Sequence, residues 1–208
     1  MGSCGNVERQ FWCCAGGHRA CRWWRRHRPE TLKSLIDSTY DYFVEDEYVD
    51  LALRPEEIIE GLTGQFEGLV SKASWGETSL FYNPDLALPN GVYFSTIKEH
   101  DGANDKASAL DRHGVFRMAF GLTVKNYEQL FGSRPTRPAK GATVNTGHDF
   151  TRLDVVMPHP IYAWMGWAQV LNPSAETFAS MQPLLVDSYD HVVRKFAKTL
   201  AGQRRTVR

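Results

Sequence analysis

A chain of 208 residues can bury one sizeable core, and an apolar share of 42% with 23% charged residues excludes the disordered, collagen-like and membrane classes. Lysine plus arginine equals aspartate plus glutamate at 24 each, so no global field marks a nucleic-acid or membrane-surface binder. The longest apolar stretch, Ala163 to Leu171, contains Gln169 and falls far short of the roughly 20 residues that span a bilayer.

The charge is unevenly spread. Residues 1–30 hold Arg9, Arg19, Arg22, Arg25, Arg26 and Arg28 against Glu8 and Glu30, whereas residues 37–60 are dominated by aspartate and glutamate. The first segment lacks an apolar run of secretory length, so a cytoplasmic location is expected, with thiols kept reduced. Cys4, Cys13, Cys14 and Cys21 match no CxxC pair, and adjacent Cys13 and Cys14 make a poor zinc frame even beside His18. No cofactor or metal is therefore expected. Residues 1–29 keep neither the helical nor the strand period and read as a leader, or as a start assigned too far upstream. Leu32, Leu35, Ile36, Tyr40 and Phe43 then predict one amphipathic helix over 31–44 within an otherwise disordered extension, residues 1–52.

From residue 53 to residue 200 the pattern is that of a single α+β domain. Pro55 followed by Glu56 and Glu57 opens a helix running to about Phe66. Leu69–Ser74 and Thr78–Tyr82 predict a hairpin around Trp75-Gly76-Glu77, and Asn83-Pro84-Asp85 ends its second strand. Val92–Lys98 predicts a third strand, and residues 99–113 a polar loop with room for a short helix. In Val115–Leu122 the period-two set Phe116, Met118, Phe120 and Leu122 marks a strand with one core face. Thr123 caps a helix striped by Val124, Tyr127, Leu130 and Phe131 and closed by Gly132.

Residues 133–147 read as an exposed loop. Ile161–Leu171 predicts a long central strand with Trp164 and Ala168 on one face, Met165 and Trp167 on the other, and Gly166 where backbone approaches closely. After Asn172-Pro173-Ser174 an apolar stripe from Phe178 to Leu200 predicts helix, split by Pro183, with a basic tail over 201–208. The order suggests a mostly antiparallel sheet of about five strands covered by helices, with a long helix at the C-terminal end.

No phosphate-binding GxxxxGK[ST], no GxGxxG, no HExxH and no GxSxG occurs. Two imidazoles and a carboxylate, His148, Asp149 and His159, lie close in sequence and are the candidate catalytic or metal-binding set. A structural account of the same residues is available, because a His-Asp turn can satisfy its own backbone donors and a histidine between prolines can cap a strand. Tyr162, Trp164 and Trp167 are candidate ligand contacts, set against the ordinary use of large aromatics as core.

Gly114-Val115-Phe116-Arg117, Tyr127 to Gly132, Thr146 to Phe150, Met157-Pro158-His159-Pro160 and Val170 to Ser174 together resemble a bacterial family known as domain of unknown function 6194, frequent in actinobacteria. The resemblance covers about Pro55 to Leu200 and leaves residues 1–50 outside the family pattern. More distantly, the strand ending in Trp and Val and the helix carrying Asp187-Ser188-Tyr189-Asp190 are similar to MmcQ/YjbR-like proteins, which implies a compact α+β architecture. The leading expectation is a non-enzymatic module binding a small molecule or a protein partner. The alternatives are a metal-assisted enzyme using His148, Asp149 and His159, and a nucleic-acid binder, against which the absence of a basic face on the domain argues.

Overall fold

The computed structural model describes residues 52–206 with the exception of Trp75. The helix expected over 31–44 and the four cysteines lie outside the described residues.

Helix α1 (Pro55–Gln65) starts where the sequence places it. Pro55 occupies the first turn, and Glu57 reaches back to accept from the Arg54 backbone N–H at 2.9 Å. It buries Ile58 and Leu62. Strands β1 (Leu69–Ser74) and β2 (Glu77–Tyr82) form the expected hairpin, followed by β3 (Val92–Lys98) and β4 (Arg117–Gly121). Helix α2 (Val124–Phe131) is capped by the Thr123 hydroxyl, which accepts from the Asn126 N–H at 3.2 Å, and it ends at Gly132 with φ 76°. Strands β5 (Met157–Pro158) and β6 (Trp167–Leu171) and helices α3 (Ala175–Ser180) and α4 (Gln182–Thr206) complete the described chain. Pro183 sits in the first turn of α4, where its missing N–H costs no helical hydrogen bond. Among the described residues no helix is long and apolar enough to cross a membrane.

The strands make one open antiparallel sheet in the order β1-β2-β3-β4-β6-β5. The sixth strand, beyond the five expected, is the two-residue β5 at the edge. Register puts Met118 beside Val170 and Phe120 beside Ala168, and this face meets α1, α3 and α4 in one apolar cluster. The period-two reading of Phe116, Met118, Phe120 and Leu122 thus identifies the face buried in the larger apolar cluster. The opposite face is covered by the loops of residues 99–115 and 149–156, with Leu110, Val115 and Leu171 forming a smaller apolar cluster against Leu153.

One expected element is corrected. Residues 161–171 are not a single central strand: Ala163–Met165 is a 3-10 turn, Gly166 is left-handed at φ 86°, and the strand is Trp167–Leu171, next to the edge. The cause is local. A Cβ on Gly166 would stand 3.3 Å from the Leu122 carbonyl oxygen, and the Gly166 carbonyl accepts from the Leu122 N–H at 2.8 Å. The close approach expected at Gly166 is therefore present, but it bends the chain. Residues 99–113 contain turns and the Gly102–Asp105 bridge, not the short helix for which the sequence leaves room.

Phe120 is fully buried at the centre of the larger cluster. Phe120→Ala is expected to lower unfolding free energy by roughly 3–5 kcal/mol, the cost of emptying a buried phenylalanine site. Chemical denaturation measures this, and a loss below about 1 kcal/mol would remove the side chain from the core.

Candidate functional site

On the loop-covered face, register sets Lys98 of β3 directly beside Arg117 of β4. Both are buried, Lys98 at 8% exposed and Arg117 at 2%. Two adjacent cations out of water repel each other and require a carboxylate. Asp105 supplies it from the covering loop. Arg117 Nη1 donates to Oδ1 at 3.0 Å and Nη2 to Oδ2, a bidentate fork, while Lys98 Nζ donates to Oδ2 at 3.0 Å. Gly102 packs closely on the lysine end, and a Cβ there would stand 2.9 Å from Lys98 Nζ. The loop closes on itself through paired Gly102 and Asp105 backbone hydrogen bonds of 3.0 and 3.1 Å. Ser108 extends the network, accepting from Arg117 Nη1 at 3.4 Å and donating to Gln169 Oε1 on β6 at 3.2 Å. Arg117 Nε is buried without a partner among the described residues.

Burial opposes ionisation of Asp105, but the hydrogen bonds and charge of Arg117, helped by Lys98, hold its carboxyl far below the usual carboxylate range. His159 enters the same electrostatic neighbourhood. It is 2% exposed, and its Nδ1 accepts from the backbone N–H of Ile161 at 3.0 Å and of Tyr162 at 3.2 Å. An accepting Nδ1 carries no proton, so the neutral ring holds its proton on Nε2. Burial above all, and then the Arg117 charge, push the imidazole well below its ordinary value, against the opposing pull of Asp105.

The candidates from sequence separate into different environments. His159 is buried in the turn it caps, whereas His148 and Asp149 are exposed. The His148 ring meets Phe131 edge-on at 6.2 Å. Asp149 Oδ1 accepts from the Thr151 N–H at 3.0 Å and hydroxyl at 2.7 Å, which with these bonds lowers its pKa. Among the described residues no group of three or more His, Cys, Asp or Glu could hold a metal ion. The aromatics are dispersed as well. Tyr162 is exposed beside the His159 ring at 4.9 Å. Trp164 lies half-buried under Arg137 at 5.0 Å, and Trp167, also half-buried, meets Tyr93 at 6.5 Å.

A cavity of about 340 Å³ opens beside the ion cluster's loop. Its walls are Ala103, Asn104, Lys106 and Ala107, flanking Asp105, together with Gly141, Thr143 and Ile161. Tyr162, Trp164 and Trp167 do not line it; Ile161, held by the His159 ring, does. Lys98, Asp105, Arg117 and the 103–107 wall were not read as a site from the sequence. The signal was present only as basic residues at the ends of two strongly apolar strands.

An open antiparallel sheet with helices on one face and a charge-latched loop on the other defines an α+β protein with a small cavity beside a buried ion cluster. Residues 53–201 match a family of unknown function (DUF6194), and the chain belongs to that family. No curated protein and no solved structure matches it.

Asp105→Asn leaves two buried cations without a counter-charge and is expected to lower stability at neutral pH by about 3–5 kcal/mol. Because the folded-state pKa of Asp105 is depressed, its contribution is complete above the unfolded value of roughly 3.9 and is lost as pH falls below it. The gap between wild type and variant in urea denaturation should therefore narrow on acidification below about pH 4. A pH-independent gap would show that the carboxylate charge is not what stabilises the loop.

His159→Asn keeps an acceptor near the Nδ1 position but cannot titrate. The wild-type ring, depressed when folded, contributes fully above its unfolded pKa of roughly 6.5 and progressively less below it. Denaturation at pH 8, 6.5 and 5 should show the wild-type advantage shrinking below pH 6.5, by up to about 1.4 kcal/mol per pH unit. An advantage that stays constant across this range would contradict the neutral, buried assignment.

Proposed function

We propose that this protein is a non-enzymatic module that binds a small molecule in the cavity formed by the 103–107 segment, Gly141, Thr143 and Ile161. The observation that carries the reading is the way the walls are fixed. The 103–107 segment is tied to the sheet through Asp105, and Ile161 is tied to the His159 ring, so two sides of the cavity are set before any ligand arrives. Its volume is in the lower part of the range of small-ligand sites, roughly 300–1,000 Å³.

The polar groups around it argue for binding over turnover. His159 Nδ1 and the Asp105 carboxylate are fully used by the protein itself, and Asp149 is used by Thr151, which leaves no activated nucleophile–base pair among them. The pattern in β6 and α4 that resembles MmcQ/YjbR-like proteins supports a shared compact architecture in a bacterial protein, and fold alone assigns no chemistry.

The test is heteronuclear NMR of the full chain titrated with a library of small neutral, cationic and anionic compounds. At least one compound is expected to move the amide signals of Asn104, Lys106, Ala107 and Thr143 saturably and to be recovered unchanged. The reading fails if no compound moves those signals, or if the bound compound is converted.

A further inference from the structure

We propose that the ligand is a small oxyanion, a molecule presenting a carboxylate or phosphate group to this cavity, an inference that rests on the binding reading above. Lys106 is the one charged residue among the cavity's lining residues, and no carboxylate faces in from them. Lys106 is exposed and forms no ion pair among the described residues. Asn104 and Thr143 add an amide and a hydroxyl, neither of which hydrogen-bonds within the described residues, so both side chains are available as donors. The backbone N–H groups of Lys106 and Ala107 likewise have no acceptor among the described residues. A donor-rich lining without acidic groups is the composition that an oxyanion's lone pairs require.

The charge behind the lining has the same sign. Lys98 and Arg117 share the single carboxylate of Asp105, and the neutral His159 ring adds no charge. The ion cluster therefore carries one positive charge in excess, and Lys106 adds another at the cavity wall. Of the other acids of the covering loop, Glu99 is exposed, Asp101 accepts from the Leu110 N–H at 2.9 Å, and Asp111 accepts from the Asp101 N–H at 3.2 Å and lies beside His100. Because Lys98 and Arg117 are buried, their field is less screened than that of surface lysines, and it favours an anion at the cavity over a neutral or cationic molecule.

The experiment is titration of the full chain with inorganic phosphate and, separately, with acetate, followed through the same four amide signals at low ionic strength and at about 0.15 M salt. Saturable shifts are expected with one or both anions, weaker at the higher salt, and the tighter of the two identifies the headgroup. Lys106→Gln, at an exposed position that leaves the ion cluster intact, is expected to weaken binding about tenfold, the loss of one hydrogen bond to a charged partner. If neutral compounds from the library bind there while neither anion does, the oxyanion inference is overturned and the binding reading stands. If no probe of any charge moves the signals, the binding reading itself falls. Anion binding that is indifferent to both salt and Lys106→Gln would also overturn the inference.

Discussion

The antiparallel register of β3 and β4 sets the constraint from which the non-helical face follows. By pairing Lys98 with Arg117 it fixes two cations side by side on a surface that is then covered, and covered cations must be neutralised. Asp105 can do so only if the loop that carries it lies flat on the sheet. The Asp105 carboxylate therefore orders a polar segment that has no helix or strand of its own, and the loop's backbone bridge, the Ser108–Gln169 contact and the Leu110 side chain follow its position.

The two faces of the sheet are stabilised by different physics. Toward the helices, Met118, Phe120, Val170, Phe178 and Leu185 form a dry contact whose strength follows from area removed from water. Toward the loops, apolar contact is limited to the small cluster around Leu171, and directional groups carry the remainder. Asn172 shows how tightly these are coupled. Its side chain accepts from the Phe116 N–H at 2.8 Å and donates to the Gly114 carbonyl at 2.8 Å, so the end of β6 is fastened to the entry of β4. Asp154 then accepts from the Ser174 N–H at 2.7 Å and joins the covering loop to the cap of α3. Segments that stand far apart in sequence yet look linked as motifs are thereby brought into one hydrogen-bonded seam.

Elements governed by local chemistry were legible in the sequence. The Pro55 start of α1, the Thr123 and Gly132 ends of α2, the β1–β2 hairpin and the Pro183 break depend on neighbours within one turn, and they fall where those residues put them. The misread strand at 161–171 shows the limit of periodicity. Tyr162, Ala163, Trp164 and Met165 have strand composition, but the positive φ of Gly166 and its bond to Leu122, a long-range contact, turn them into a 3-10 bend. The candidate site was less legible for the same reason. Arg117 alternates with Ala119 and Gly121 opposite the core-facing set, which in an isolated strand is the pattern of a solvated face. Only the pairing with Lys98, and a carboxylate in an unpatterned loop, turns that face inward. His159 is conspicuous for its chemistry, but its neutral state depends on its burial, on the Arg117 and Lys98 charges acting against the pull of Asp105, and on two backbone donors next to it.

A buried ion cluster is an uneconomical way to stabilise a fold, since well-packed apolar residues of similar volume serve as well or better in many proteins. Lys98, Asp105 and Arg117 therefore need an explanation beyond stability, and geometry offers one. Apolar contact would let the covering loop slide and repack, whereas a bidentate fork plus a lysine defines one position for Asp105 and hence for Asn104 and Lys106 on either side of it. Arg117 holds the fork with its Nε unsatisfied, which is tolerable where the gain is orientation. The same three charges leave a positive excess beside the cavity, so loop position and the proposed anion preference have a common origin in one pair of neighbouring strand residues.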